Sequence, residues 1–336
     1  MDITFKDLIK LWGKPSNQGD IDLDLPIGRI STDSRTIKKG DFFVPLVGNT
    51  FDGHDYLDMA FDIGIQAAIV SETFNGLIPT GLPHWVVSDT LDAYQQIALL
   101  HRKNLNLPVV AVTGSVGKTT TRELIRAVLS PLGEIVSSRG NENNDIGVPK
   151  TLLRGSERDA AFVLEMGMRG LGQIERLSQV AEPYIAVITN VGQAHIGILG
   201  SRENIAKAKT EITSYLRSDG VVIIPFGDYL LEKALLEKWS GRIVRVEIEG
   251  FSLNWLDCNN EYFAFKDIES DYISKIDMQN NLIFFEGSKL KLPLEGRHNA
   301  LNFLMALTVA KELGLSMKNL DKLNINMPAG SNGLVD

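Results

Sequence analysis

The stretch VVAVTGSVGKTTTRELI, residues 109–125, decides how the chain is read. An apolar run leads into a turn that carries Gly114, Gly117, Lys118 and Thr119, and a helix starts there. Backbone N–H groups in such a turn, together with the free N–H groups that open the helix, favour anionic phosphate. The lysine then reaches the terminal phosphates of a nucleotide and the threonine hydroxyl faces Mg²⁺. The full spacing G-x-x-x-x-G-K-[ST] would need glycine at position 112, where this chain has Val112. The shorter G-x-x-G-K-T is less specific by itself, but it sits between strand and helix as the chemistry requires. A turn followed by a chance GKT is the plain alternative.

The bounds set by size and charge agree with a phosphate site of local origin. A chain of 336 residues predicts two domains, or three small ones. Its 44% hydrophobic and 23% charged residues are ordinary globular values. A net charge of -8, with no block of like charges, argues against a nucleic acid or an anionic membrane as partner. Cys258 is the single cysteine, so an internal disulfide is excluded and a reducing compartment fits. The opening MDITFKDLIKLWG has no basic region followed by an apolar run, and no apolar stretch reaches the ~18 residues of a membrane span. A cytoplasmic chain is expected.

Working outward from the turn, residues 5–12 have Phe5, Leu8, Ile9 and Trp12 on one helical face. Strand-like runs follow at 28–33, 42–47 and 66–70, with helices over 55–63 and 91–105, the last stopping before Pro108. From Pro108 the rhythm changes. Strands at 108–114, 160–167, 184–192, 220–225 and 242–248 alternate with helices at 118–130, 172–180, 201–216 and 228–238. That alternation means βαβ units and a mostly parallel, doubly wound sheet of P-loop ATPase type. Residues 250–293 read as hairpins with turns at Asn280-Asn281 and Gly287, and 295–314 as a strong helix with a glycine stop. The fold class is α/β: a small N-terminal α/β unit, then the doubly wound domain.

In open α/β sheets, ligands bind outside the carboxyl ends of the strands. Glu165 ends one strand and His195 follows the next, so Lys118, Thr119, Glu165 and His195 are expected to converge on one crevice. A carboxylate and an imidazole beside a triphosphate suit Mg²⁺ ligation. The bland readings are a solvated strand end and a loop histidine.

The stretches VVAVTGSVGKTTTRELI, GNENNDIGVPKTLL (140–153), FVLEMGMRGLGQIERLSQVAEPYIAVITNVGQAHIG (162–197) and IAKAKTEI (205–212) together resemble the ATP-binding domain of the Mur ligases. These ATP-dependent amide ligases build the peptide stem of peptidoglycan. STDSRTIKKGDFFVPLVGNTFDGHDYLDMA (31–60) is similar to the family's uridine-nucleotide-binding domain, and GRHNALNFLMALTVAKELG (296–314) to the end of its central domain. The run EMGM is closest to the branch that joins D-Ala-D-Ala to UDP-MurNAc-tripeptide.

The resemblance implies the site. Thr113, Gly114, Ser115, Val116, Gly117, Lys118, Thr119 and Thr120 would bind ATP, with Lys118 on the β/γ-phosphates. Thr119 and Glu165 would ligate one Mg²⁺, and His195 would help to hold a second. Lys209 stands where the family often carries a lysine carbamylated by CO₂, with Lys207 as the competitor and a solvated helix lysine as the bland reading. A carbamate would offer oxygen to a hard metal. Asn299, or more weakly Asn302, would contact the nucleotide unless it caps the helix. Ser34, Arg35, Phe51, Asp52, Gly53 and His54 would face the UDP-sugar, an arginine suiting a diphosphate; the alternative is that these are turn residues. Asn143, Asn144 and Thr151 would line the cleft through which the sugar-peptide crosses toward ATP.

The implied division is a UDP-sugar domain over 1–107, an ATP-binding ligase domain over 108–323, and a tail over 324–336. A monomer is expected. Members of the family continue into a third, Rossmann-like domain that binds the incoming amine, entered through a Gly-Arg pair. Here Gly330 is followed by Ser331 and the chain stops at Asp336. The expectation is that ATP and UDP-MurNAc-tripeptide bind while ligation by this chain alone is weak. A separate chain would then supply the third domain, or the chain would be a binding module. A sister ligase that adds another amino acid is the further alternative.

Overall fold

A computed structural model describes residues 3–17, 22–251, 268–320 and 325. Cys258, most of the hairpin region before residue 268 and the tail from 326, with Gly330 and Ser331, lie outside the described residues. The chain divides into two compact units, Met1–Asn106 with Leu152–Ser156, and Leu107–Thr151 with Glu157–Asp336.

The first unit starts with α1 (Phe5–Trp12), opened by a capping box in which Thr4 and Asp7 satisfy each other's backbone N–H. Its apolar face meets Trp85: the Phe5 ring stacks on it at 5.9 Å, and Trp12 approaches edge-on at 6.1 Å. β1 (Ile30–Ser31), β2 (Phe42–Phe43), α2 (Leu57–Ile63), β3 (Ala67–Ser71), β4 (His84–Val87) and α3 (Thr90–Leu105) follow. The four strands form a parallel sheet in the order β1-β2-β3-β4. β4 was not expected. It is four residues long and half exposed at its end, so it lacks a decisive apolar run. α3 stops on Asn106 in the left-handed conformation, before Pro108.

The second unit carries β5 (Val109–Thr113), α4 (Lys118–Leu129), β6 (Glu134–Ser137), α5 (Gly147–Leu152), β7 (Asp159–Glu165), α6 (Gln173–Ala181), β8 (Ile185–Ile188), α7 (Ile196–Leu199) and α8 (Arg202–Thr210). Then come β9 (Val221–Pro225), α9 (Tyr229–Lys238), β10 (Arg242–Ile248), β11 (Tyr272–Asp277), β12 (Leu282–Phe285), β13 (Ser288–Lys291) and α10 (Arg297–Glu312). The nine strands are ordered β13-β12-β11-β10-β9-β8-β5-β7-β6. Pairing is parallel from β6 across to β11, and β11–β13 are antiparallel. The β12–β13 turn is the pair Glu286-Gly287, both at positive φ, as a two-residue hairpin needs.

β5 and β7 are buried along most of their length because both faces of the sheet are covered, which explains their continuous apolar runs. β5 lies between β7 and β8, where the winding of the chain reverses. That is the switch point at which an α/β sheet opens a crevice. β6 and α5 were missed: β6 is an edge strand with little burial, and α5 has only six residues. β8 ends at Ile188, earlier than the run 184–192 suggests, because residues 189–192 turn out of the sheet to grip the phosphate loop. Among the described residues no helix is long and apolar enough to cross a membrane.

Candidate functional site

Gly114 has φ 154°, and a Cβ there would come within 1.8 Å of Thr189 Oγ1, so only glycine lets the loop pass. Gly117 has φ 82° and stands at the start of α4, which no side chain caps. The opening N–H groups of α4 are therefore available to an anion. The segment after β8 clamps the loop from the side. Val116 N–H donates to Asn190 Oδ1 at 3.1 Å, and Asn190 Nδ2 returns a bond to the Val116 carbonyl at 2.9 Å. Thr189 Oγ1 donates to the same carbonyl at 2.6 Å, Gly192 N–H donates to Ser115 Oγ at 2.8 Å, and Ser115 N–H donates to the Asn190 carbonyl at 3.2 Å. Asn190 was not foreseen. The N–H groups of Ser115 and Val116 are thus committed to the protein, which leaves the Gly117–α4 junction as the anion-facing part. Lys118 folds over the loop, donating to the Gly114 carbonyl at 3.0 Å.

The end of β7 places Glu165 beside α4. Its Oε2 accepts from Thr119 Oγ1 at 2.9 Å and from Arg122 Nη1 at 3.2 Å; its Oε1 accepts from Asn143 Nδ2 at 2.9 Å. The carboxylate is buried. Arg122 is equally buried and is also bonded to Glu123, which Arg126 meets in turn. Sequence reading missed Arg122. The available signal was a charged residue three positions after Thr119, on the same helical face as the threonine.

A cleft of about 550 Å³ opens beside the loop. It brings together Thr113, Gly114, Lys118, Asn143, Asn144, His195 and Lys209. Lys209 is 1% exposed, whereas Lys207 is exposed to solvent. Burial, with Lys118 nearby, pushes the Lys209 amine down to about 7. Burial also lowers Lys118, partly offset by the charge of Glu165. His195, held at φ 70° where α7 begins, is lowered by burial and then by Lys209 and Lys118. Burial is thus the first cause for all three, with Lys118 adding to the lowering of Lys209 and both lysines adding to that of His195.

Other expected residues sit elsewhere. Thr151 is fully buried, its hydroxyl bonded to the Gly147 carbonyl at 3.0 Å and to Glu142 at 3.3 Å; the expectation that it lines the cleft is corrected. Asn144 lines the cleft and also caps the turn into α5 through Gly147 N–H at 2.9 Å. Asn299 donates to the Glu295 carbonyl at 2.7 Å and is not part of the cleft lining; it behaves as a helix-start residue. Asn302 lies against the loop, with its Nδ2 3.1 Å from where a Cβ on Gly117 would be. Thr120 is buried in α4 and Val116 is exposed.

In the first unit, Arg35 is 86% exposed at its side chain and forks onto Asp33 at 2.9 and 2.8 Å, with Ser34 beside it. Phe51 is 59% exposed. His54 is 1% exposed and stacks on Phe74 at 4.8 Å. Its Nε2 accepts from Ser71 N–H at 2.9 Å, so its Nδ1 carries the proton and donates to Asp52 at 2.5 Å. Both ring nitrogens are used inside the unit, and the expectation that His54 faces a ligand is corrected. Gly53 is required because a Cβ would meet Pro45 Cα and Leu46 N at 2.9 Å.

A model described as "Mur ligase family, catalytic domain" matches residues 26–119, and one described as "Mur ligase middle domain" matches residues 112–310. The chain is 40% identical over 308 residues to the UDP-N-acetylmuramoyl-tripeptide--D-alanyl-D-alanine ligase of Synechocystis sp., covering 91% of this chain and 63% of that protein. It therefore spans less than two thirds of the length of that relative. A solved structure of UDP-N-acetylmuramoylalanyl-D-glutamyl-2,6-diaminopimelate--D-alanyl-D-alanyl ligase from Acinetobacter baumannii matches with TM-score 0.78 and 30% identity, over 96% of this chain and 69% of that one. The MurF ligase of Thermotoga maritima in complex with ADP matches with TM-score 0.72 and 26% identity, over 90% of this chain and 67% of that one. The uncapped phosphate turn and the buried glutamate on β7 fall within the region that the middle-domain model matches, and on that match the chain belongs to the Mur ligase family.

Proposed function

We propose that this chain is an ATP-dependent acid–amino-acid ligase of peptidoglycan precursor synthesis, which activates UDP-MurNAc-tripeptide for amide formation with D-Ala-D-Ala. The observation that carries the reading is the uncapped start of α4, with Lys118 over the loop and Thr119 bonded to the buried Glu165. The relative with bound ADP and the substrates in the relatives' names support it.

In this reading, the carboxylate that ends the tripeptide attacks the γ-phosphorus of ATP. The bond from that phosphorus to the β,γ-bridging oxygen breaks, and ADP leaves. The product is an acyl phosphate. The dipeptide amine then attacks the acyl carbon, loses a proton and expels phosphate. Lys118 places positive charge at the phosphates while the phosphoryl group moves. The uncapped N–H groups of α4 do the same at no reorganisation cost. The crevice must keep water away from the acyl phosphate.

Thr119 and Glu165 fit a hard divalent cation. Two oxygen donors lie 2.9 Å apart, and the carboxylate is fixed by Asn143 and Arg122. When bound, Mg²⁺ would supply charge neutralisation at the phosphate oxygens. His195 and Lys209, which share the cleft, are the groups for a second ion. A buried, neutral Lys209 amine is the form that adds to CO₂, releasing a proton and leaving a carbamate with two oxygens.

The test is nucleotide binding by calorimetry. Lys118→Ala is expected to weaken ADP binding by at least about tenfold with the melting temperature little changed. Equal affinity of the variant and the unaltered chain for ADP would contradict the assignment.

A further inference from the structure

Resting on the reading above, we propose that Arg169 binds a carboxylate of the peptide substrate other than the one that is activated, and so selects an acidic peptide. Arg169 lies on the loop between β7 and α6 and lines the cleft. Its backbone N–H donates to Gln173 Oε1 at 2.6 Å, but among the described residues its guanidinium has no hydrogen bond and no ion pair. The two arginines of α4 are spent, Arg122 on Glu165 and Glu123, and Arg126 on Glu123. Asp145, the one carboxylate in the lining, is engaged by other groups. An unpaired guanidinium facing a cleft, in a chain of net charge -8, is left for an anion from outside.

The loop that carries it is built rather than loose. Gly167 N–H donates to the Asn143 carbonyl at 2.8 Å, Met168 is buried, and Gln173 fixes the backbone of Arg169 from the first residue of α6. The phosphates have their own partners in Lys118 and the start of α4. The same lining also holds the amides Asn141, Asn143, Asn144 and Gln173, which suit a peptide backbone. A guanidinium among amides is the arrangement for a peptide carboxylate, gripped through two parallel N–H bonds.

The chemistry of the proposed substrate supplies that anion. A peptide of the alanyl-D-glutamyl-2,6-diaminopimelate kind, as in the name of the Acinetobacter ligase, keeps carboxylates besides the one to be joined. The glutamyl residue retains one, and the diamino diacid retains a second.

The experiment is a cycle of two proteins and three ligands, read by calorimetry. The unaltered chain and Arg169→Gln are each titrated with UDP-MurNAc-tripeptide, with the same ligand amidated on the glutamyl carboxylate, and with one carrying lysine in place of the diamino diacid. ADP serves as control. The expected result is 10- to 100-fold weaker tripeptide binding by Arg169→Gln, with ADP affinity unchanged within twofold. One of the two altered ligands should lose as much on the unaltered chain and nothing further on the variant. Arg169 is exposed, so the variant is expected to fold with an unchanged melting temperature. Equal tripeptide binding by both proteins would overturn the proposal while leaving the ligase reading in place. An equal loss for ADP would assign Arg169 to phosphate and overturn it too. Failure of the unaltered chain to bind the tripeptide at all would overturn both.

Discussion

Thr119 Oγ1 donates to Glu165 Oε2 across 2.9 Å, joining the first turn of α4 to the end of β7. The bond brings together two residues 46 positions apart that a hard cation and a triphosphate both need. Glu165→Gln keeps the side-chain volume and one acceptor oxygen but removes the charge. Phosphoryl transfer from ATP is expected to fall by at least about 100-fold, measured as substrate-dependent ADP formation. Unchanged turnover would remove Glu165 from the site. Glu165→Ala is a poorer probe, because it also takes a buried acceptor from Arg122, Thr119 and Asn143 and leaves Arg122 to Glu123 alone among the described carboxylates.

Gly114→Ala should be harmful for a steric reason. The new methyl would meet Thr189 Oγ1 at 1.8 Å, and Thr189 is itself bonded to the Val116 carbonyl. The expected cost is about 1–3 kcal/mol, with loss of ADP binding, because the loop must shift away from its clamp. Urea denaturation and ADP titration of the same variant check both. Normal stability would mean that the loop has slack.

The pH dependence of stability should carry a mark of Lys209. Its amine lies at about 7 in the folded chain, against about 10.4 when unfolded. Between those values the unfolded chain binds the extra proton, so stability rises with pH from 7 toward 10; below 7 both states are protonated and the contribution is flat. Lys209→Met lacks the group. The difference in urea stability, unaltered chain minus Lys209→Met, is expected to grow as pH rises through that window. A pH-independent difference would mean that the amine is not desolvated. With ¹³CO₂, the unaltered chain should show a carbamate carbon resonance above pH 7 that Lys209→Met lacks.

His54 is expected to act on stability rather than on ligand binding. His54→Ala leaves Ser71 N–H without its buried acceptor and empties a space against Phe74. The expected loss is about 2–4 kcal/mol, with uridine nucleotide affinity within threefold of the unaltered chain. Lost affinity at normal stability would reverse that assignment.

These residues also show what sequence can and cannot deliver. The β5 run, the glycine turn and Glu165 were legible because each is a local pattern: a strand with both faces covered, a φ that only glycine tolerates, a polar residue ending an apolar run. Lys209, with Lys207 as its competitor, came from the resemblance; in the structure Lys209 is buried and Lys207 exposed. Asn190 and Arg122 were missed because their roles exist only after distant segments meet, Asn190 across 74 positions and Arg122 across 43. Thr151 and His54 misled for the opposite reason. Polar side chains can be satisfied by their own neighbourhood, and a motif does not say which way a ring or hydroxyl points.

The proposed chemistry of this chain turns ATP and a peptide carboxylate into an acyl phosphate. Hydroxylamine trapping tests it most directly: the chain, Mg²⁺, ATP and UDP-MurNAc-tripeptide are incubated with hydroxylamine, and the peptide hydroxamate is measured by mass. The expected product is a hydroxamate that requires ATP and tripeptide together, accompanied by ADP, and that disappears with Lys118→Ala. Tight binding of both ligands with no hydroxamate and no ADP would contradict it.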